Sequence, residues 1–191
     1  GVDVGGDWYD TMTLPDGRVA LTVGDVVGKG VQAAATMGQF RNALRAFAFE
    51  HPGPAEALTR LNHLVESLPE SPFATLCHLV LDPVGGRCDF VVAGHPPPVL
   101  ATPDGSVSFL AGGQGLPIGV EEHHVYEAGT VDLSPGTLVL LYTDGLVERR
   151  DRPLDDGLDA LLASVETAVG EAPAVDGIVD AVIDDAFETD T

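Results

Sequence analysis

Residues 18–31 read Arg18-Val19-Ala20-Leu21-Thr22-Val23-Gly24-Asp25-Val26-Val27-Gly28-Lys29-Gly30-Val31, and the hydrophobic period changes inside this one stretch. From Arg18 to Val23 apolar and polar residues alternate directly after a Pro15-Asp16-Gly17 turn, the pattern of a hairpin strand. From Val31 onward Met37, Phe40, Leu44 and Phe47 recur at steps of three and four, the stripe of an amphipathic helix, until His51-Pro52-Gly53 stops it. Asp25 therefore falls at a strand end among glycines, where backbone can approach a ligand closely.

Working outward, Pro54 can open a second helix, with Leu58, Leu61, Val65 and Leu68 on one face before Pro69 and Pro72. Strand-like segments follow at 74–81, 88–93, 99–101, 107–110 and 125–128, with a buried-looking run at 138–142. The turns at Asp82-Pro83-Val84-Gly85-Gly86, Pro103-Asp104-Gly105 and Ser134-Pro135-Gly136 are too brief for helical crossovers, so neighbouring strands should pair mainly antiparallel. Two further helical stripes close the chain, Leu158/Leu161/Leu162/Val165/Val169 and Ile178/Val179/Val182/Ile183/Phe187. Strands, two helices, many strands and two helices give an α+β class, in which a sheet sandwich with helices outside covers every apolar face.

A chain of 191 residues fits one domain with a sizeable core, and 45% apolar content excludes a disordered chain. No run approaches the roughly 18 apolar residues of a membrane span. The formal charge of −21 argues against nucleic acid and anionic membrane as partners, since both select cationic surfaces. It would also repel a phosphorylated substrate unless cations sit in the site. Cys77 and Cys88 lie in strand-like stretches and read as small buried hydrophobes in a reducing cytoplasm, with a disulfide as the alternative.

Three motifs put an Asp beside glycine or at a strand end: Gly5-Gly6-Asp7-Trp8-Tyr9-Asp10, Gly24-Asp25-Val26-Val27-Gly28-Lys29-Gly30, and Tyr142-Thr143-Asp144-Gly145. Singly, each has a structural explanation, an Asp-Gly turn or a cap for the helix near Val31. Together they suggest a carboxylate cluster. Two like charges about 4 Å apart repel by on the order of 4 kcal/mol at an effective dielectric near 20, so a cluster implies a cation. Oxygen donors suit Mg²⁺ or Mn²⁺, and no His/Cys cluster with zinc-like spacing is present. Residues 24–30 are not a P-loop, because one gap is a residue short and Gly30 replaces the hydroxyl. Lys29, the chain's only lysine, reads either as a phosphate neighbour or as a solvated turn residue.

With Phe73-Ala74-Thr75-Leu76, Ala93-Gly94-His95-Pro96-Pro97-Pro98, Gly115-Leu116-Pro117-Ile118-Gly119 and Tyr142-Thr143-Asp144-Gly145-Leu146-Val147-Glu148, these motifs resemble the metal-dependent protein phosphatases (PPM family, type 2C-like), in the bacterial SpoIIE/RsbU-like branch. The resemblance implies a four-layer α-β-β-α sandwich of two mainly antiparallel sheets flanked by helical pairs. It also implies a centre of two Mg²⁺ or Mn²⁺ ions, bridged by Asp25 with the Val26 carbonyl, and with Asp7 and Asp144 as further ligands. Asp10 would support the first motif, and Gly28, Lys29 and His95 would lie near ligands or substrate. His95 reads as a general acid or as the fixed corner of a turn.

The implied reaction is hydrolysis of phosphoserine or phosphothreonine in a cytoplasmic phosphoprotein resembling an anti-anti-sigma factor. The helices over 31–68 could dock a sensor domain or a second copy. Against the family pattern, 1–191 reads as a single phosphatase domain lacking the first strand material and the closing Asp-Asp strand. Asp190-Thr191 stops short of that motif, and Asp184 and Asp185 read as the polar face of the last helix. The alternative function is a weak or inactive phosphatase-like binding module.

Overall fold

The computed structural model describes residues 5–68, 72–149, 153–171 and 174–188; Pro69 and the terminal Asp190-Thr191 lie outside them. The chain divides into two compact units, residues 1–96 with 111–133, and 97–110 with 134–191.

In the first unit β1 (Asp7–Thr13) and β2 (Val19–Val26) form the hairpin expected from the alternation. Its turn is set by Asp16, which accepts from the Arg18 backbone and guanidinium, and by Gly17 in the left-handed region at φ 88°. β3 (Ala74–Asp82) and β4 (Arg87–Ala93) continue the antiparallel pairing. On the far side of β4 lie two short strands whose ranges, in chain order, make them β7 (Gln114–Gly115) and β8 (Gly129–Asp132). β7 pairs parallel with β4, a departure from the antiparallel expectation made possible by the loop that returns through 111–113.

The stripes read from the sequence face this sheet. Helices α1 (Val31–Glu50) and α2 (Pro54–Glu66) bury Phe40, Leu44, Leu58, Leu61 and Val65 against Trp8, Ala20, Leu76, Val80 and Val91. Each such large apolar side chain contributes about 2 kcal/mol of transfer free energy. The expectation of a strand over 125–128 is corrected. That segment is irregular, and the strand begins at Gly129. Tyr126 is drawn into the core instead, its backbone N–H donating to Thr59 Oγ1 and its hydroxyl to the Leu116 carbonyl.

The second unit holds a three-stranded antiparallel sheet ordered β6-β5-β9, made of β5 (Val99–Ala101), β6 (Val107–Phe109) and β9 (Leu138–Leu140). Helices α3 (Leu154–Glu171) and α4 (Val175–Glu188) pack with it around Val99, Ala101, Tyr142, Leu161, Val165 and Val182. The run at 138–142 proves half-buried over its first four residues, because β9 is an edge strand. Asp184 and Asp185 are exposed on α4, as its polar face should be. The fold is thus α+β, with two mainly antiparallel sheets each carrying a helical pair. Both cysteines are buried and free.

Candidate metal centre

The hairpin register decides where the first two carboxylates stand. Asp7, the first residue of β1, pairs directly with Asp25, one residue before the end of β2. Side chains of directly opposed residues share a face, so Asp7 and Asp25 project from the same side at one end of the sheet. Trp8, Ala20 and Val26 belong to the helix-covered face, which puts Asp7 and Asp25 on the other. Asp7 is exposed and Asp25 half-buried.

Glycines make the close approach possible. A Cβ on Gly6 would overlap the Val26 carbonyl oxygen and stand 2.9 Å from Asp25 Oδ1. Gly6 also accepts from the Val26 amide at 3.2 Å, so this backbone is clamped against the carbonyl expected to act as a ligand. A Cβ on Gly24 would lie 2.5 Å from the Trp8 ring. Beyond Val26 the loop is held by the Val27 amide donating to Phe73, and it turns through Gly28 at φ 127° and Gly30 at φ 78°, both left-handed. Lys29 is exposed between them. Gly30 is the N-cap of α1 and has no side-chain cap hydrogen bond.

Thr75 stands in the Phe73-Ala74-Thr75-Leu76 motif, where the sequence alone gives it no role. It pairs with Asp25 across β2 and β3, and its Oγ1 lies 3.0 Å from Nδ1 of His95, which is 6% exposed. His95 is thereby tied to the neighbour of Asp25, and only the strand register could have revealed the link. Asp10 faces the helix side and is gripped by Arg45 of α1 at 2.6 and 2.8 Å. It braces β1 on α1 from the face opposite Asp7. Asp144 belongs to the second unit, where it opens the 3₁₀ turn Asp144–Leu146 and its carbonyl accepts from Glu148.

The donor set in the first unit fits a hard divalent cation: two carboxylates and a backbone carbonyl, with no nitrogen or sulfur among the expected ligands. Neither cysteine stands as an activated nucleophile: burial raises the Cys77 thiol well above its usual range and pushes Cys88 up to about 12.

The architecture is that of the PP2C-type phosphatases. The PP2C phosphatase domain of SpoIIE from Bacillus subtilis aligns with a TM-score of 0.77 at 20% identity, over 96% of this chain and 53% of that one. The particular family follows from the sequence: the model of the family "Stage II sporulation protein E (SpoIIE)" matches residues 15–190, and the chain belongs to that family. The structure of the RsbU and RsbW domains of Rv1364c from Mycobacterium tuberculosis shares 34% identity and a TM-score of 0.88, covering 97% of this chain and 51% of that one. Phosphoserine phosphatase RsbU of Bacillus subtilis is 25% identical over 146 residues, 76% of this chain. The chain spans 43% of that relative's length.

Proposed function

We propose that this chain is a divalent-metal-dependent protein phosphatase that hydrolyses phosphoserine or phosphothreonine, and that residues 1–191 work as one catalytic domain. The observation that carries the reading is the opposition of Asp7 and Asp25 on one sheet face, with Gly6 pressed on the Val26 carbonyl. Opposed carboxylates are costly without a cation, and a carbonyl aimed at the same place adds a third oxygen. The family match covers residues 15–190, Asp144 among them, and supports its reading as a further ligand.

In this reading Asp25, the Val26 carbonyl, Asp7 and Asp144 would hold Mg²⁺ or Mn²⁺, with Asp25 as the shared ligand. When bound, such ions supply Lewis-acid charge for the phosphoryl oxygens and acidify the attacking water. The protein's own part is positional. β1 and β2 fix the carboxylates by register, Arg45 fixes β1 through Asp10, and Thr75 orients His95, whose imidazole can hand a proton to the leaving seryl oxygen. Gly28 leaves the loop open beside the bridging residue, and Lys29 stands there as the one lysine to meet the substrate phosphate.

Relatedness to a phosphoserine phosphatase supports a phosphoprotein substrate of the anti-anti-sigma-factor kind, in partner-switching signalling in the cytoplasm. Among the described residues no helix is long and apolar enough to cross a membrane. Val31 and Phe49, exposed on α1, offer a docking surface for a sensor domain or second copy. The test is phosphatase assay of the purified chain with phosphoserine peptides and an aryl phosphate. Activity should require Mn²⁺ or Mg²⁺ and fall roughly 100-fold or more in Asp25→Asn. An inactive wild type that binds metal and phosphopeptide would instead identify a binding module, and activity retained in Asp25→Asn would refute the bridging role.

A further inference from the structure

The sequence shows no zinc-like His/Cys spacing, yet folding assembles one nitrogen-bearing cluster. His63 and Glu66 lie one turn apart near the end of α2, and His123 comes from a loop far along the chain. A ligand atom from each lies within 4.8 Å of the other two, the span one small ion can bridge. The imidazoles of His63 and His123 meet edge to face, centroids 5.8 Å apart.

The carboxylate is fixed before any ion arrives. Glu66 Oε1 accepts from the His123 amide at 2.6 Å and from Asn62 Nδ2 at 2.9 Å, while Oε2 stays 3.4 Å from His123 Nδ1. Asn62 is fully buried and held in turn, donating to the Glu121 carbonyl and accepting from the Gly119 amide. A buried amide that orients a ligating carboxylate is the usual support of a metal site. His123 is the one non-glycine residue with positive φ among the described residues, at 61°, a conformation uncommon outside glycine.

We propose that His63, Glu66 and His123 bind a transition-metal ion of the Zn²⁺ class, at a site separate from the Asp7/Asp25 carboxylates. Two imidazoles and one carboxylate select zinc, cobalt or nickel over Mg²⁺, which prefers oxygen alone, and solvent exposure leaves room for water as the remaining ligand. The ion would fasten α2 to the 119–124 loop. That loop continues from Ile118, whose backbone pairs with Ala74, the β3 partner of Val26. The clip thus secures the strand end beside the carboxylate centre.

The test titrates the metal-stripped 191-residue chain with Co²⁺ in excess Mg²⁺, reading visible d–d absorption and then its bleaching by Zn²⁺. One saturable band is expected, weakened roughly tenfold or more in His63→Ala and in His123→Asn, and unchanged in Asp25→Asn. Asn tolerates the left-handed backbone, so His123→Asn should keep the fold by circular dichroism. Zn²⁺ should raise the melting temperature of the wild type and not of His123→Asn. No band in the wild type, an undiminished band without His63 and His123, or its loss in Asp25→Asn overturns the proposal and leaves the phosphatase reading standing.

Discussion

Replacing Asp7 by Asn should stabilise the chain without metal and leave it the less stable form with metal. Asp7 is directly opposite Asp25, and Cβ atoms of opposed residues stand about 5 Å apart. Unit charges at about 5 Å repel by roughly 3 kcal/mol at an effective dielectric of 20 and by about 0.8 kcal/mol in water. Asp7 is exposed, which puts the relief near the lower bound, about 1 kcal/mol. For a chain of this size that is a rise of about 2–4 °C in melting temperature, read by scanning calorimetry in EDTA. With Mn²⁺ at about 100 times its dissociation constant the wild type should gain about 2.7 kcal/mol, and the variant, one ligand short, should gain less. The order of stability should therefore reverse between EDTA and Mn²⁺. Equal melting in EDTA, or an equal gain from Mn²⁺, would refute the argument that these carboxylates face each other and wait for a cation.

Gly6→Ala should cost about 1–3 kcal/mol in urea unfolding and abolish activity, since its Cβ must displace the Val26 carbonyl; a fully active variant would show that the clamp is dispensable. Thr75→Val should lower kcat/KM roughly tenfold by releasing His95 while Thr75→Ser retains activity, and equal effects from both would remove the hydroxyl from the account. His78, fully buried with Nδ1 2.8 Å from Thr22 Oγ1, is held neutral, its pKa lowered to about 4 by burial and only partly restored by Asp10. Above about pH 6.5 neither state carries that proton; as pH falls toward 4 the unfolded chain takes it up first, so stability should drop by about 3 kcal/mol over that window. His78→Leu should lose this part of the slope in urea titrations, and an unchanged slope would assign the acid sensitivity elsewhere.

Legibility in the sequence followed the range of the interactions. The stripe of α2 was readable because Leu58, Leu61 and Val65 are set by local period and all end fully buried. The stripe of α4 was readable as a helix, yet only Val182 of its five apolar positions is fully buried, and Val179, Ile183 and Phe187 stay exposed, which no periodicity announces. Residues 125–128 misled because Val125 and Tyr126 read as strand material, whereas Tyr126 enters the core from an irregular segment, a tertiary decision. Asp7, Asp25 and Asp144 were visible as motifs. The opposition of Asp7 and Asp25, the Thr75 link to His95 and the His63–Glu66–His123 cluster depend on register and on contacts between distant segments, which spacing does not encode.

The most direct measurement is anomalous scattering from crystals of this chain soaked in Mn²⁺. The account predicts manganese peaks bounded by the carboxylates of Asp7, Asp25 and Asp144 and the carbonyl of Val26. Manganese bound elsewhere, with Asp7 and Asp25 contacting no ion, would contradict it.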